Sequence, residues 1–149
     1  MSEKQRVLRV GVLGTGQISQ AAHFEACRKA ENAELYAICD VAEDLLERMF
    51  AVHAPRRAYA DYDAMLADPD VDAVIIAIAD QFHVPMALRA LVAGKHVLVE
   101  KPMGVTVEES EELCGAARAS GLVVQVGTEK RFDESIAFAR EFIREEMGR

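Results

Sequence analysis

Short apolar runs alternate with amphipathic segments along nearly the whole chain, and this alternation limits the possible folds more than any other feature. The apolar runs are continuous, which is typical of strands buried on both faces of a sheet. Strands are predicted at residues 7–13, 34–39, 57–60, 71–79, 96–99 and 122–126. Helices are predicted at residues 17–30, 61–67, 83–93, 106–120 and 134–147, with another around 45–50. Because parallel strands need crossover helices, we predict an α/β fold with a doubly wound, mostly parallel sheet in three α/β/α layers.

Composition narrows the functional classes. The 149 residues are 51% hydrophobic and 28% charged, as expected of one globular domain. Twenty-five acidic against 17 basic side chains give a net charge of −8, which argues against nucleic-acid binding, since that needs a basic surface. No apolar stretch approaches the ~20 residues of a membrane span, and no signal-peptide core follows the first six residues. The three cysteines are scattered, so we expect no metal site and a reducing, cytoplasmic location.

A glycine turn follows the first predicted strand. Gly14 lets the chain leave the strand in a conformation that a side chain would disfavour. Gly16 lets the backbone approach a pyrophosphate, and the amides of Gln17 and Ile18 at the start of the helix face the same position. The third position of the dinucleotide-binding pattern, usually glycine or alanine, is Ser19. The turn alone is also compatible with a purely structural role, but its context between strand and helix favours a nucleotide site.

An acid closes the second predicted strand. Asp40 lies 26 residues after Gly14, slightly beyond the spacing of about 20 in the usual pattern. Its carboxylate could accept hydrogen bonds from an adenosine ribose, and Val41 offers no positive charge to a ribose phosphate. We therefore favour NAD over NADP as the cofactor. The alternative role for Asp40 is that of N-cap for the following helix, and both roles can coexist.

A charged pair, Glu100-Lys101, follows the strand at residues 96–99 and precedes Pro102. At the carboxyl end of a strand in this sheet, it would place an amine beside the nucleotide. A partly desolvated lysine can serve as a base, because burial lowers the pKa of an amine toward neutrality. The alternative is a solvated ion pair with no role in chemistry.

Four segments together resemble the N-terminal domain of the Gfo/Idh/MocA oxidoreductases, a family that includes glucose–fructose oxidoreductase and inositol dehydrogenase. They are VGVLGTGQIS at 10–19, ADQFH at 79–83, GKHVLVEKP at 94–102, and Val126-Gly127 with Arg131-Phe132 after it. The third is the most specific. Ala79-Asp80 stands where the family usually has Thr-Pro, and Thr128-Glu129 replaces residues that are often His or Asn.

The resemblance implies roles for individual residues in an NAD(P)-dependent oxidoreductase. Lys101 would lie near the nicotinamide and the substrate hydroxyl as the catalytic residue, and Glu100 would position the nicotinamide or the lysine. Ala79 and His83 would lie near the cofactor, although His83 alone would be interpreted as a helix residue bonded to backbone. His23, His53 and His96 are expected at the surface or in packing.

The resemblance also divides the chain. Residues 1–127 correspond to the dinucleotide-binding Rossmann domain, and 128–149 to a crossover helix that in the family leads to a second, substrate-binding domain. We therefore expect these residues alone to be incomplete for catalysis. The apolar side chains of Ile136, Phe142 and Ile143 could support a homo-oligomer or pack back on the sheet.

The implied activity is dehydrogenation of a sugar, polyol or related hydroxy compound. A non-catalytic NAD(H)-binding or regulatory module is the alternative. Reductases of the dihydrodipicolinate or homoserine type share the glycine opening, but they lack the Glu-Lys-Pro segment and rank below both.

Overall fold

A six-stranded, all-parallel sheet with helices on both faces forms the molecule. The computed structural model describes residues 6–147. The strands are β1 (Leu8–Leu13), β2 (Ala33–Cys39), β3 (Arg57–Tyr59), β4 (Ala73–Ile76), β5 (His96–Val99) and β6 (Val124–Val126). The helices are α1 (Phe24–Lys29), α2 (Glu43–His53), α3 (Tyr62–Ala67), α4 (His83–Val92), α5 (Val107–Ser120) and α6 (Glu134–Phe142). The strand order β3-β2-β1-β4-β5-β6 confirms the predicted doubly wound, Rossmann-like sheet.

Each face of the sheet covers its own hydrophobic core. On one face, Val10 and Val12 of β1 pack with Phe24 of α1 and Leu46 of α2. The other face carries side chains from α3, α4 and α5, among them Met65, Val84, Ala87, Leu91 and Leu113. Alternate side chains of a strand point to opposite faces, and the sheet is therefore buried on both sides as its continuous apolar strands predict.

Several elements differ from prediction. The strand expected at 71–79 is confined to Ala73–Ile76, because Val71 belongs to a turn closed by its amide on the Asp68 carbonyl. The sixth strand is shorter than 122–126. The helix expected at 17–30 contains a π-helical segment, Ser19–His23, and the last helix ends in another, Ile143–Met147.

Side-chain caps begin α3, α5 and α6. The Thr106 hydroxyl accepts the Glu109 amide, and Glu109 Oε2 accepts the amide of Val105 rather than that of Thr106. The capping box is thus present with its return bond shifted by one residue. In the last helix, the carboxylate of Asp133 accepts the amide of Ser135.

Most large side chains of the α6 region are exposed rather than packed back on the sheet. Phe138 and Phe142 stack with their ring centroids 6.4 Å apart. Phe132, Ile136, Phe142 and Ile143 are likewise exposed. Within residues 6–147, no helix is both long and apolar enough to cross a membrane, and no cluster of three metal-ligating side chains occurs.

Replacing Gly115 with alanine should stabilise the protein by about 1 kcal/mol, since glycine inside a helix is disfavoured by that amount. Gly115 lies in the interior of α5, is exposed, and has open space where a Cβ would stand. The measurement is the urea unfolding midpoint at constant m-value. A lower midpoint would contradict the assignment of an unstrained helical position.

Candidate active site

The glycine turn forms the first wall of the site, at the carboxyl end of β1. Gly14 has φ +91°, and its amide donates to the Cys39 carbonyl at 2.8 Å. A Cβ on Gly14 would lie 2.3 Å from the Ala77 carbonyl oxygen, so no side chain fits. Ser19 is fully buried, and its hydroxyl donates to the Gly14 carbonyl at 2.6 Å. Serine at the third motif position therefore ties the helix to the turn.

Gly16 has a different environment from Gly14. A Cβ at Gly16 would have no non-neighbouring atom within 4 Å. Gln17 and Ile18 follow it at the start of the helical turn, and both are exposed. The backbone here consequently lies open to a ligand that approaches the helix N-terminus, which is where anions bind.

Asp40, at the end of β2, is bonded to the glycine turn. One carboxylate oxygen accepts both the amide of Thr15, at 2.7 Å, and its hydroxyl, at 2.8 Å. The other accepts the Ala42 amide at 2.9 Å. Ala42 itself is the N-cap of α2, so the alternative role of Asp40 as N-cap is not observed. Asp40 instead fixes the turn relative to β2.

Burial raises the pKa of Asp40, but hydrogen bonds from Ala42 and Thr15 outweigh it and hold the pKa below its usual value. The folded state therefore binds this proton more weakly than the unfolded chain. We expect the stabilisation to be complete above about pH 4, the usual range of an aspartate, and to be lost as pH falls through the folded pKa.

Urea midpoints measured from neutral pH to strongly acid pH test this expectation. In Asp40→Asn, the urea midpoint should fall less at acid pH than it does in the parent. Asp44→Asn removes an exposed acid on α2 and should leave this fall unchanged. An equal fall of the urea midpoint at acid pH in the parent and in Asp40→Asn would contradict the expectation.

Glu100 is buried at the end of β5, only 9% exposed. Its Oε1 lies 2.9 Å from Nε2 of His23, and its Oε2 accepts the Lys101 amide at 3.2 Å. Lys101 is exposed. The alternative of a solvated Glu-Lys ion pair is wrong for Glu100, because its carboxylate is turned into the protein toward His23.

His23 was expected in packing or at the surface, and the structure places it beside Glu100. The other two histidines match the expectation: His53 packs against Phe24 with ring centroids 4.6 Å apart, and Nδ1 of His96 accepts the Val123 amide. Sequence offers one signal for His23, its position on the helix that starts at the glycine turn. That signal carries no information about Glu100.

His83, in the first turn of α4, is 1% exposed. Its Nδ1 lies 2.6 Å from the Pro102 carbonyl and its Nε2 lies 3.1 Å from the Ile78 carbonyl. The ring therefore links the segments that leave β4 and β5. Its partners are backbone carbonyls, as expected for His83 when it is considered apart from the family resemblance.

A cavity of about 550 Å³ opens between the ends of β1, β2, β3 and β4. Gly14, Asp40 and Ala79 line it together with Val41 and Asp61. Its size lies in the range of small-molecule sites. Gly14, Asp40 and Ala79 thus share one cavity, Gly16, Gln17 and Ile18 lie at the adjoining turn, and Glu100 and Lys101 lie at the end of β5.

Comparisons with known proteins identify the family and agree with the fold. The chain belongs to the Gfo/Idh/MocA family: the model of the oxidoreductase family with an NAD-binding Rossmann fold matches residues 8–128. The myo-inositol 2-dehydrogenase of Thermotoga maritima is 30% identical over 136 residues, 91% of this chain and 40% of that protein. The D-glucoside 3-dehydrogenase of Escherichia coli is 32% identical over 125 residues, 84% of this chain and 36% of that protein.

Among solved structures, a scyllo-inositol dehydrogenase from Lactobacillus casei with NAD(H) and scyllo-inositol superposes with a TM-score of 0.86 at 28% identity. A 3-ketoreductase from Actinomadura kijaniata with NADP does so with a TM-score of 0.87 at 28% identity. Both matches cover 94% of this chain, and 42% and 43% of the respective proteins. The chain thus spans about two fifths of the length of these relatives, and both nicotinamide cofactors occur among them.

Proposed function

We propose that this chain binds NAD across the carboxyl edge of the sheet, as the cofactor-binding part of a dehydrogenase acting on a sugar, polyol or related hydroxy compound. The observation that carries the proposal is the contrast between Gly14, where a Cβ would collide with backbone, and Gly16, where it would meet open space. Packing alone requires only the first glycine. The second is explained by a diphosphate that lies on the amides at the start of the helix.

Charge in the neighbouring cavity supports NAD rather than NADP. Asp40 and Asp61 both line it, and a phosphate on the adenosine ribose would be repelled by these carboxylates. The cationic side chain in the lining, Arg89, is paired with Asp63. The Asp40 carboxylate lines this cavity while it holds the glycine turn through Thr15, and a ribose hydroxyl that enters the cavity would donate to it.

The position of Lys101 at the carboxyl end of β5 supports a role as base. Its side chain is exposed, so the desolvation expected from sequence would have to come from the bound cofactor and substrate. The cofactor would accept a hydride from the alcohol carbon, and the hydroxyl proton must then leave to a positioned group. Lys101 follows β5, which is separated from β1 by β4 alone, so in the proposed binding mode Lys101 is on the nicotinamide side of the diphosphate. Glu100 orients this end of the cofactor, and His83 positions the segments around Ile78 and Pro102.

Titration of the chain with NADH and NADPH, followed by nucleotide fluorescence, tests the proposal. Asp40→Ala should raise the Kd for NADH about tenfold, since it removes a hydrogen bond to a charged group and loosens Thr15. Lys101→Ala should leave that Kd within about threefold. Melting curves control for unfolding. Absence of NADH binding would contradict the proposed function, and equal affinities for NADH and NADPH would contradict the assignment of NAD.

A non-catalytic NAD(H)-binding module is the second candidate, because the open turn at Gly16 supports cofactor binding and includes no group that acts on a substrate. The two are distinguished by NAD⁺ reduction in the presence of a polyol such as inositol. The assay is made on this chain fused to the substrate-binding part of a homologous inositol dehydrogenase, because these residues alone are expected to be incomplete for catalysis. Turnover that Lys101→Ala loses indicates the enzyme, and a fusion without turnover indicates a binding module.

Location in the cytoplasm and self-association are further parts of the proposal. Cys27 and Cys39 are free and buried, and burial raises the pKa of their thiols to about 11 and about 12. Such thiols are unreactive and suit a reducing compartment. The exposed apolar side chains of α6 would support a homo-oligomer, which light scattering tests directly.

A further inference from the structure

The π-helical segment Ser19–His23 gives His23 its place in the site. Its defining hydrogen bond runs from the Phe24 amide to the Ser19 carbonyl, five residues back instead of four. Each residue of an α-helix adds about 100° of rotation, so one extra residue in a turn redirects the side chains that follow. Phe24 is then fully buried in the core, and His23 faces Glu100 at the edge of the sheet.

The Glu100 carboxylate is held from several sides. His23 supplies the side-chain hydrogen bond at 2.9 Å, and the Lys101 amide supplies a backbone one. Gly127 closes a third side, since a Cβ there would stand 3.2 Å from Oε1 of Glu100. The side chains of His23 and Glu100 are only 12% and 11% exposed. A carboxylate this buried is costly without a donor, and His23 is its side-chain donor among residues 6–147.

The strand order fixes which half of a dinucleotide would meet this carboxylate. With its diphosphate on the turn after β1 and its adenosine toward Asp40 after β2, the rest of the molecule must extend over β4 and β5. Glu100 ends β5 and therefore lies under the nicotinamide riboside half.

We propose that His23 is a positioning residue that fixes the Glu100 carboxylate for hydrogen bonding to the nicotinamide riboside half of the cofactor. The proposal rests on the proposed function. In this role Nε2 of His23 carries the proton, because both oxygens of the Glu100 carboxylate can only accept a hydrogen bond. The His23–Glu100 pair should therefore affect ligands that contain nicotinamide and spare those that end at the diphosphate.

Two ligands separate these effects: NADH, and ADP, which has the adenosine and the diphosphate but no nicotinamide riboside. His23→Leu should raise the Kd for NADH about tenfold and leave that for ADP within about twofold. His23→Gln keeps a side-chain donor and should restore NADH affinity to within about threefold of the parent. His53→Leu, on α2, alters packing against Phe24, the residue that follows His23, without removing the donor to Glu100. It therefore controls for repacking around the π-helical segment and should leave the ratio of the two Kd values unchanged.

A second variant perturbs the Glu100 carboxylate from the side of Gly127. Gly127→Ala should displace Glu100 and reproduce the selective loss of NADH affinity, and Gly115→Ala should not. An unchanged NADH affinity in His23→Leu, or equal losses for NADH and ADP, would overturn the positioning role. If the parent binds neither ligand, the proposed function fails and this inference fails with it. NADH binding by the parent with no selectivity among the variants refutes only the inference.

Discussion

Replacing Gly16 with alanine should weaken NADH binding by at least about 100-fold, while the melting temperature stays that of the parent. The new methyl group would meet no protein atom, since nothing non-neighbouring lies within 4 Å of its position. It would occupy the space through which a diphosphate reaches the helix amides. Loss of two hydrogen bonds to a charged group, each worth roughly 1.5–3 kcal/mol, gives at least about 3 kcal/mol and hence about 100-fold in Kd.

Fluorescence titration with NADH gives the affinity, and thermal unfolding without ligand gives the stability. ADP should lose affinity together with NADH, because both place a diphosphate on the turn. This pattern is opposite to that expected for His23→Leu, so the two variants control for each other. Parent-like NADH affinity in Gly16→Ala would show that the open space is not a phosphate site, and the principal support for the proposed function would be withdrawn.

The sheet was predictable because its signals are local and mutually consistent. Continuous apolar runs indicate strands buried on both faces, and the helical segments between them require parallel crossovers. Strand lengths were less well predicted. The apolar run at 71–79 continues past β4, yet Ile78 and Ala79 line the cavity, and the Ile78 carbonyl faces His83 rather than a neighbouring strand. Hydrophobicity alone does not separate a buried strand from a buried loop at a site.

The site was predicted in part, and the missing part depends on contacts distant in sequence. Gly14 and Asp40 could be placed because strand ends meet at one edge of a parallel sheet. The bonds from Asp40 to Thr15 span 25 residues, and the contact from His23 to Glu100 spans 77. No periodicity encodes such pairs. The π-helical segment also limits prediction, because a regular period of 3.6 residues places His23 on the wrong face of its helix.

Replacing Gly14 with alanine should destabilise the fold by on the order of 4 kcal/mol, from the left-handed backbone and from overpacking together. Its φ of +91° disfavours any side chain, and the Cβ would lie 2.3 Å from the Ala77 carbonyl oxygen and 2.7 Å from Cγ2 of Ile78. Both contacts are on the segment that leaves β4, so β1 and β4 cannot separate without breaking the bond from the Ala77 amide to the Leu13 carbonyl.

For a domain of this length, such a loss corresponds to a fall in melting temperature of roughly 10 °C. The urea midpoint should fall in parallel, in contrast to Gly16→Ala, which should match the parent, and Gly115→Ala, which should exceed it. A parent-like midpoint for Gly14→Ala would mean that the turn relaxes without cost. The backbone at Gly14 would then be adaptable, and the turn on which the diphosphate is proposed to lie would adopt its rigid conformation only when the ligand binds.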